Sequence, residues 1–354
     1  MGRTKSRGNG EGTIFQRGNT WVAEVTTGKN SETGKPVRQT IYGKERDDVK
    51  EELDRIKHEL NMGIYVEPTK LTVKEWFDIW LKDYKTPPYV RLSTYVSYDM
   101  YIRVHINPIL GNILLKELRP EQLQRFYNDK FRNGRIDKTG GLSAKTIKNM
   151  QNMIHECLKQ AIKNGLLVRN VSEAVTLPKV EKNEIIIMTK KEEQLFLQAL
   201  EGERLEPAFI TDLNTGMRLG ELLGLSWENI DLQNKLIKVR QTLNRLKNID
   251  PNASTKTKLY LEKKLKSKKS KRDIPMSDFL VHTLKKHKQQ QLLEGITNIN
   301  NLAFCSETGT PYEPRSFIRK MHAISKRAGI PRFNVHSMRH YVESNIMGSN
   351  LGLR

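Results

Sequence analysis

The sequence predicts a mainly α-helical protein with small β elements, an α+β fold made of three modules. A stretch with two-residue alternation near the N-terminus predicts a three-stranded sheet followed by one helix. Helical spacing and capping signals then predict a helical bundle, and a short strand pair further on predicts a mixed α/β module. At 354 residues the chain is long enough for two or three domains. We expect the modules to span residues 1–63, 71–178 and 185–354.

The first module follows from the segment GTIFQRGNTWVAEV. Its apolar residues alternate on both sides of a turn, so that Trp21, Ala23 and Val25 share one face of a hairpin. A third strand is expected near residues 37–42. A helix that ends at Gly63 should follow, because apolar residues recur there at helical spacing: Val49, Leu53, Ile56 and Leu60.

The second module is predicted from helix start signals. Thr72 and Glu75 form a capping box ahead of an apolar helix. We expect residues 72–170 to be helical throughout, in a bundle of about four helices. Three further helix starts are marked by Ser93, Pro120 and Ser143.

The third module begins with a second capping box, Thr189 with Glu192. It reads as mostly helical, apart from a strand pair near residues 236–241 and 272–275. The sequence therefore predicts one small β element among the helices of this module.

Composition indicates a polyanionic partner. Lys and Arg number 61 against 40 Asp and Glu, a formal charge of +21. Nucleic acid is the first candidate and an anionic membrane the second. No apolar run approaches the roughly 20 residues that span a bilayer, and the N-terminus lacks a secretory signal. Two cysteines cannot form a disulfide framework. We therefore expect a cytoplasmic protein that binds nucleic acid.

The segment NTGMRLGELLGLSWENIDL carries the first candidate site residues. Arg218 lies at a helix start, and Glu221 follows three residues later on the same helix face. The simplest interpretation is a surface ion pair worth about 0.3–0.5 kcal/mol. The alternative is a phosphate ligand, because an arginine at a helix N-terminus combines a planar fork of donors with a favourable dipole.

Two later segments are also basic. Residues 256–272 contain nine basic residues against one acid, Glu262, and such a run is typical of a solvated loop or of contacts with a DNA backbone. Near the end, His336 and Arg339 stand three residues apart, with His340 adjacent. Two arginines can hold the non-bridging oxygens of a phosphodiester while a histidine and a lysine move protons. No residue cluster has metal-ligand spacing, so we expect chemistry without a metal or other cofactor.

These three segments together resemble the tyrosine recombinases, the phage-type integrases. Residues 215–225 match the box T-G-x-R-x-x-E-x-x-x-L, and residues 266–275 match K-x-K-x-x-x-R-x-I-P. Residues 336–340 match H-x-L-R-H, with Met338 in place of leucine. The resemblance implies an arm-type DNA-binding module, a helical core-binding module of SAM-like type and a catalytic domain. It also implies DNA cleavage through a covalent 3′-phosphotyrosyl link, which conserves the phosphodiester energy without ATP or metal.

The resemblance implies a role for each matching residue. Arg218 and Arg339 would bind the scissile phosphate, and Glu221 would order Arg218. Lys266 would protonate the leaving 5′ oxygen, with Lys268 as the alternative because several lysines crowd this register. His336 would assist proton transfer or contact the phosphate. Further DNA contacts are expected at Arg17, Trp21, Arg38, Lys145, Lys148, Lys268, Lys269, Lys271 and Arg272.

The sequence departs from the family pattern after His340. Residues 341–344 replace a Thr/Ser-Phe-Ala element, and neither a Leu-Gly-His box nor the later tyrosine is matched. Tyr341 lies about 200° around a helix from Arg339, so it should point away from the phosphate. We therefore expect a chain truncated before its nucleophile and deficient in cleavage, with an exposed apolar patch and a weakened homo-oligomer on DNA.

Three functional hypotheses stay open. The first is a site-specific recombinase of a phage or mobile element, cleaving attachment-site DNA. The second is a catalytically inactive DNA-binding protein that occupies such sites. The third is a general nucleic-acid binder whose motif matches are coincidental. Covalent capture of a nicked DNA substrate would distinguish the first from the others, and equal affinity for random duplex would favour the third.

Overall fold

The computed structural model describes residues 12–29, 33–63, 65–66, 69–181, 187–248, 254–263, 270–298, 300–333 and 335–351, with side chains in the last range for 335–342 and 344. The described residues are mainly helical with small β elements, as predicted, and their strands form three antiparallel sheets. Contacts divide the chain into two compact units, Met1–Glu181 and Lys182–Arg354. None of the described helices is long and apolar enough to cross a bilayer.

The first unit begins with a sheet of three antiparallel strands in the order β1 (Thr13–Arg17), β2 (Thr20–Lys29) and β3 (Pro36–Gly43). One helix follows, α1 (Arg46–Asn61). Ala23 of β2 is paired with Ile14 and Ile41, and this face packs on α1 through a small buried cluster: Ala23, Val25, Ile41, Val49, Leu53 and Ile56. The predicted three strands and helix are confirmed, because alternation and helical spacing are local signals.

The described residues of the rest of the first unit contain five α-helices: α2 (Val73–Tyr84), α3 (Leu92–Met100), α4 (Asn107–Leu110), α5 (Pro120–Asn133) and α6 (Ala144–Lys163). A π-helical turn, Tyr101–Ile106, joins α3 to α4. The helices enclose a separate core whose largest buried side chains are Phe77, Trp80, Phe126 and Tyr127. The capping box at Thr72 is present and Ser143 caps α6.

Two details of the bundle prediction are wrong. The helix assigned to Ser93 begins one residue earlier, at Leu92, and has Arg91 as its N-cap. Residues 72–170 are not helical throughout, because the loops 85–91 and 134–143 interrupt them. The first loop contains two consecutive prolines, Pro87 and Pro88, which cannot donate backbone hydrogen bonds within a helix.

The second unit contains six helices in its described residues: α7 (Lys190–Leu200), α8 (Glu206–Thr215), α9 (Leu219–Leu223), α10 (Asp278–Leu293), α11 (Pro314–Arg327) and α12 (Val335–Leu351). A three-stranded sheet joins β4 (Ile230–Asp231), β5 (Leu236–Val239) and β8 (Arg272–Pro275). A second sheet pairs β6 (Thr242–Lys247) with β7 (Thr257–Glu262). The predicted pairing of β5 with β8 is confirmed, and β6 with β7 is an addition that the sequence did not predict.

Candidate active site

The turn between α8 and α9 is the centre of the candidate site. Gly216 ends α8 in the left-handed conformation, φ 56° and ψ 34°, and its N–H donates to the carbonyl of Asp212 at 2.8 Å. Glycine adopts this conformation without the steric cost that other residues incur. The chain then turns into α9, whose N-cap residue is Arg218.

Glu221 joins two arginines in this region. Its carboxylate accepts hydrogen bonds from Arg218 Nη1 at 2.8 Å and from Arg272 Nη2 at 2.8 Å, and the backbone N–H of Arg218 donates to it at 3.1 Å. The Glu221 side chain is only 4% exposed. Burial raises the pKa of Glu221, but hydrogen bonds from Arg272 and Arg218 outweigh burial and leave it below its ordinary value. Glu221 is therefore an ionised anchor for both guanidinium groups.

The sheet brings Arg272 to Glu221 from a distant part of the sequence. Arg272 opens β8, where it is paired with Val239 of β5. Arg240 directly follows β5. Its guanidinium donates to the backbone carbonyl of Arg272 at 3.2 Å and to the carboxylate of Asp273 at 2.6 Å. Arg272 was predicted as a DNA contact, and the structure gives its guanidinium an ion pair inside the protein.

Helix α12 supplies the second predicted phosphate ligand. Arg339 Nη1 donates to the carbonyl of Gly216 at 3.0 Å, two residues before Arg218. Both arginines are thus anchored at the same α8–α9 turn, although 121 positions of sequence separate them. His336, on the first turn of α12, is exposed, and its ring lies 4.6 Å from that of His340 in an edge-to-face arrangement.

Tyr341 lies on a different side of α12. Its hydroxyl donates to Glu193 of α7 at 2.7 Å, and the residue is buried. This contact ties α12 to α7, and it agrees with the expectation that Tyr341 points away from Arg339.

The other predicted contacts lie in four places. Lys266, Lys268 and Lys269 fall outside the described residues, and Lys271 is exposed just before β8. Lys145 and Lys148 are exposed one turn apart on α6. Arg17 and Arg38 are exposed on the face of the N-terminal sheet opposite α1. Their partners in β2 are Thr20 and Thr26, which alternate with the β2 residues that pack on the helix. Trp21 lies on the α1 side, with the Arg46 guanidinium 5.9 Å from its ring centroid.

A basic groove beside the site was not predicted. It lies between the β6–β7 pair and α11, with a volume of about 760 Å³, and its basic lining residues are Arg245, Lys247, Arg315, Arg319, His322 and Arg332. A smaller groove of about 280 Å³ shares Arg245 and Arg315 with it and reaches Leu219 and Gly220 at the start of α9. We call this continuous surface the α11 groove. Arg315, Arg319 and His322 recur at helical spacing on α11, a local signal that could have indicated a basic helix face, whereas Arg245 and Arg332 are distant in the sequence.

Gly220 sets how closely α9 approaches β6. A Cβ built on Gly220 would lie 2.4 Å from Thr242 Oγ1 and 2.8 Å from the Leu243 carbonyl. A side chain there would push α9, and with it Arg218, away from the sheet. The second glycine of the NTGMRLGE segment is thus explained by close packing, a contact that sequence spacing alone does not reveal.

Two family models match the chain. Residues 186–354 match the phage integrase family, and residues 72–131 match the phage integrase N-terminal SAM-like domain. Together they cover the greater part of the chain, and one match lies in each of its compact units.

Individual relatives agree with the family models. A tyrosine recombinase XerC-like protein of Caldanaerobacter subterraneus subsp. tengcongensis is 28% identical over 349 residues, covering 93% of this chain and 86% of that protein. The Tn1549 transposon integrase, solved with transposon right end DNA, superposes with a TM-score of 0.65 at 19% identity over 80% of this chain and 88% of that one. A lambda integrase dimer bound to a COC′ core site gives 0.55 at 18% identity, covering 97% and 88%.

Proposed function

We propose that this chain, which belongs to the phage integrase family of tyrosine recombinases, acts on the DNA of a phage or other mobile element and binds one scissile phosphate with Arg218 and Arg339. The observation that carries the proposal is the bond from Arg339 to the carbonyl of Gly216, two residues before Arg218. Two guanidinium groups anchored at one turn can contact the two non-bridging oxygens of a single phosphodiester.

The remaining residues fit the chemistry of strand cleavage. A tyrosine oxygen attacks phosphorus, the bond to the 5′ oxygen breaks, and a 3′-phosphotyrosyl link and a free 5′ hydroxyl result. The two arginines offset the charge of the crowded intermediate, and Glu221 keeps Arg218 in place. Exposed His336 is available to take the tyrosine proton, and Lys266 is proposed, from the family resemblance, to protonate the leaving oxygen.

A second candidate function is DNA binding without cleavage. The hydroxyl of Tyr341, the tyrosine nearest to Arg339 in the sequence, is bonded to Glu193 and buried. A hydroxyl held in that way is not free to attack a phosphate on the Arg339 side of the helix. The nucleophile therefore stays unassigned, and a protein that occupies attachment sites uses the same phosphate contacts without the chemical step.

The charge of the α11 groove supports the proposal that duplex DNA runs along it away from the phosphate site. It joins the start of α9 to a set of arginines, and its one acidic lining residue, Glu313, is already ion-paired with Arg245. A groove that carries this much positive charge favours the phosphodiester backbone.

The first unit supports further DNA contacts. On the N-terminal sheet, the face opposite α1 presents Phe15 and Tyr42, the latter 66% exposed, together with Arg17 and Arg38. Aromatic and guanidinium groups on an open sheet are suited to a nucleic-acid partner, and we propose this face, rather than Trp21, as the arm-type contact. Lys145 and Lys148 of α6 are proposed for the core-binding module.

Selection from a random-sequence duplex library tests the proposal. We expect recovery of a preferred duplex and an affinity that falls steeply with salt. Arg218→Ala and Arg339→Ala should each weaken binding about tenfold. Lys145→Gln with Lys148→Gln should flatten the slope of log K against log salt by about 1.8. Equal affinity for all duplexes would contradict the proposal.

A matched control removes the same charge elsewhere. Arg204 and Arg327 are already bonded to Glu294 and Glu203, at 2.6 and 2.8 Å. Replacing both by glutamine should leave the salt slope unchanged, because neither arginine lies at the α8–α9 turn or lines the α11 groove.

A nicked suicide duplex distinguishes the two candidate functions. Incubation with the preferred duplex, nicked so that the released strand diffuses away, should trap a protein–DNA adduct on denaturing gels if the chain cleaves DNA. Tight binding without an adduct supports the site-occupying protein. An adduct that survives in Arg218→Ala and Arg339→Ala would contradict the assignment of the phosphate site.

A further inference from the structure

Asp212 is a fully buried acid with no evident structural purpose. It lies in α8, one helical turn before Gly216, and neither carboxyl oxygen has a hydrogen-bond partner among the residues that the structure describes. Phe209, Ile210 and Leu213 of the same helix are apolar and buried. A buried carboxyl without a partner destabilises a folded protein, and a leucine at the same position would pack without that cost.

The charged group that acts on Asp212 is Arg339 of the packed helix α12. The Arg339 stem lies against the α8–α9 turn, since a Cβ built on Gly216 is 3.6 Å from Arg339 Cγ. Burial raises the pKa of Asp212 well above its ordinary value, and the positive charge of Arg339 opposes that rise.

A guanidinium group can serve two partners at once. Its five N–H donors form a planar fork, so one edge can hold a phosphate while another donates to the protein. In the structure Arg339 already uses Nη1 on the carbonyl of Gly216, whose own N–H is bonded to the Asp212 carbonyl. The Asp212 carboxyl lies one helical turn before this carbonyl, feels the positive charge of Arg339, and accepts no hydrogen bond from the described residues.

We propose that Asp212 is a positioning residue for Arg339. Its carboxyl receives the inner edge of the Arg339 guanidinium when a phosphate occupies the outer edge, so that the arginine is held between two oxygen acceptors. Asp212 does not touch DNA and acts only through Arg339. The inference rests on the proposed role of Arg339 as a phosphate ligand.

Two substitutions separate positioning from a structural role. Asp212→Leu removes the acceptor and should weaken binding of the selected duplex about tenfold, while thermal stability stays the same or rises. Asp212→Asn keeps the shape and an acceptor oxygen, and it should bind within about threefold of the wild type. Weaker DNA binding with undiminished stability would indicate positioning. A residue needed only for packing would lose stability when it is replaced.

The control is Thr211→Val. Thr211 is the neighbouring residue of α8, equally buried, and its hydroxyl donates to Pro207 of its own helix at 2.7 Å. We expect this variant to bind DNA as the wild type does.

Three results would overturn the inference. The first is that Asp212→Leu binds the selected duplex as tightly as the wild type. The second is that Asp212→Leu loses binding only because it has lost stability. The third is that Asp212→Asn binds as weakly as Asp212→Leu. Failure of the proposed function looks different, because then Arg339→Ala itself would bind the selected duplex as tightly as the wild type.

Discussion

Glu221 and Asp212 are two buried carboxyl groups beside the same α8–α9 turn, and their surroundings differ sharply. Glu221 accepts bonds from two guanidinium groups and one backbone N–H, and its pKa is lowered. Asp212 accepts none from the described residues, and its pKa is raised. Burial raises the pKa of both groups, so the partners, and not the depth, decide which of them is charged.

The same contrast separates the two arginines. Arg218 is held by Glu221 only three residues away, within one helical turn. Arg339 reaches the turn from α12 and bonds to the backbone carbonyl of Gly216, so its position depends on how α8 packs against α12. One of the two proposed phosphate ligands is therefore positioned by local sequence and the other by tertiary packing.

The largest expected effect comes from removing the paired carboxylate. Glu221→Ala leaves Arg218 and Arg272 side by side without their shared anion. Both guanidinium groups keep contact with water, since the Arg218 side chain is 55% exposed and that of Arg272 27%, and we expect the loss of their charge-assisted hydrogen bonds to cost about 2 kcal/mol. We expect hydrogen exchange under native conditions to show that loss in peptides from residues 206–231. Exposed Glu228, bonded to Ser226 at 3.3 Å, is the control, and Glu228→Ala should change stability by less than about 0.5 kcal/mol. Unchanged protection in Glu221→Ala would show that the ion pairs contribute nothing.

The next largest effect is on the pH dependence of stability, which should have opposite signs for Glu221 and Asp212. Because the pKa of Glu221 is lowered, its contribution to the free energy of unfolding is fully present above the ordinary glutamic acid pKa. That contribution is lost as pH falls through the folded-state pKa. The raised pKa of Asp212 means that the folded state retains a proton that the unfolded state releases, so stability falls as pH rises above the ordinary aspartic acid pKa. Each slope is at most about 1.4 kcal/mol per pH unit.

Urea denaturation at a series of pH values measures both slopes. The advantage of the wild type over Glu221→Gln should grow as pH rises toward the ordinary glutamic acid pKa. The wild type should lose stability relative to Asp212→Asn as pH rises above the ordinary aspartic acid pKa. Parallel curves for Asp212→Asn and the wild type would mean that Asp212 is ionised in the folded state.

The sequence predicted those features of the site and fold that depend on residues within one helical turn of each other. Capping boxes at Thr72 and Thr189 and the three-residue spacing of Arg218 and Glu221 all appear in the structure. Each depends on one helical turn, and such patterns are legible without knowledge of the fold.

Contacts between distant segments could not be predicted in the same way. Arg272 bonds to Glu221 across 51 positions, and the lysine-rich run gives no sign that its single arginine faces inward. The strand β7 lies in that same run, where TKLYLE has little of the clear alternation that marks β2. Asp212 carries a weak signal, since an acid within an apolar helical stretch is unusual, but its neighbour Arg339 is known only once α8 and α12 are packed.

The smallest expected effect concerns the glycine that supports Arg339. Alanine at Gly216 must adopt a positive φ, which costs about 1–2 kcal/mol, and its Cβ would lie 3.3 Å from Val342 Cβ and 3.6 Å from Arg339 Cγ. Gly329 after α11 is the matched control, because it has φ 66° and nothing within 4 Å of a Cβ. Both alanine variants should lose similar stability in urea, because the left-handed backbone is common to them. Only Gly216→Ala should also weaken DNA binding, by several-fold, because it alone displaces an arginine that we place on the phosphate. Equal binding by the two variants would mean that Arg339 tolerates movement, and the contrast with the tightly held Arg218 would then have no consequence for the bound DNA.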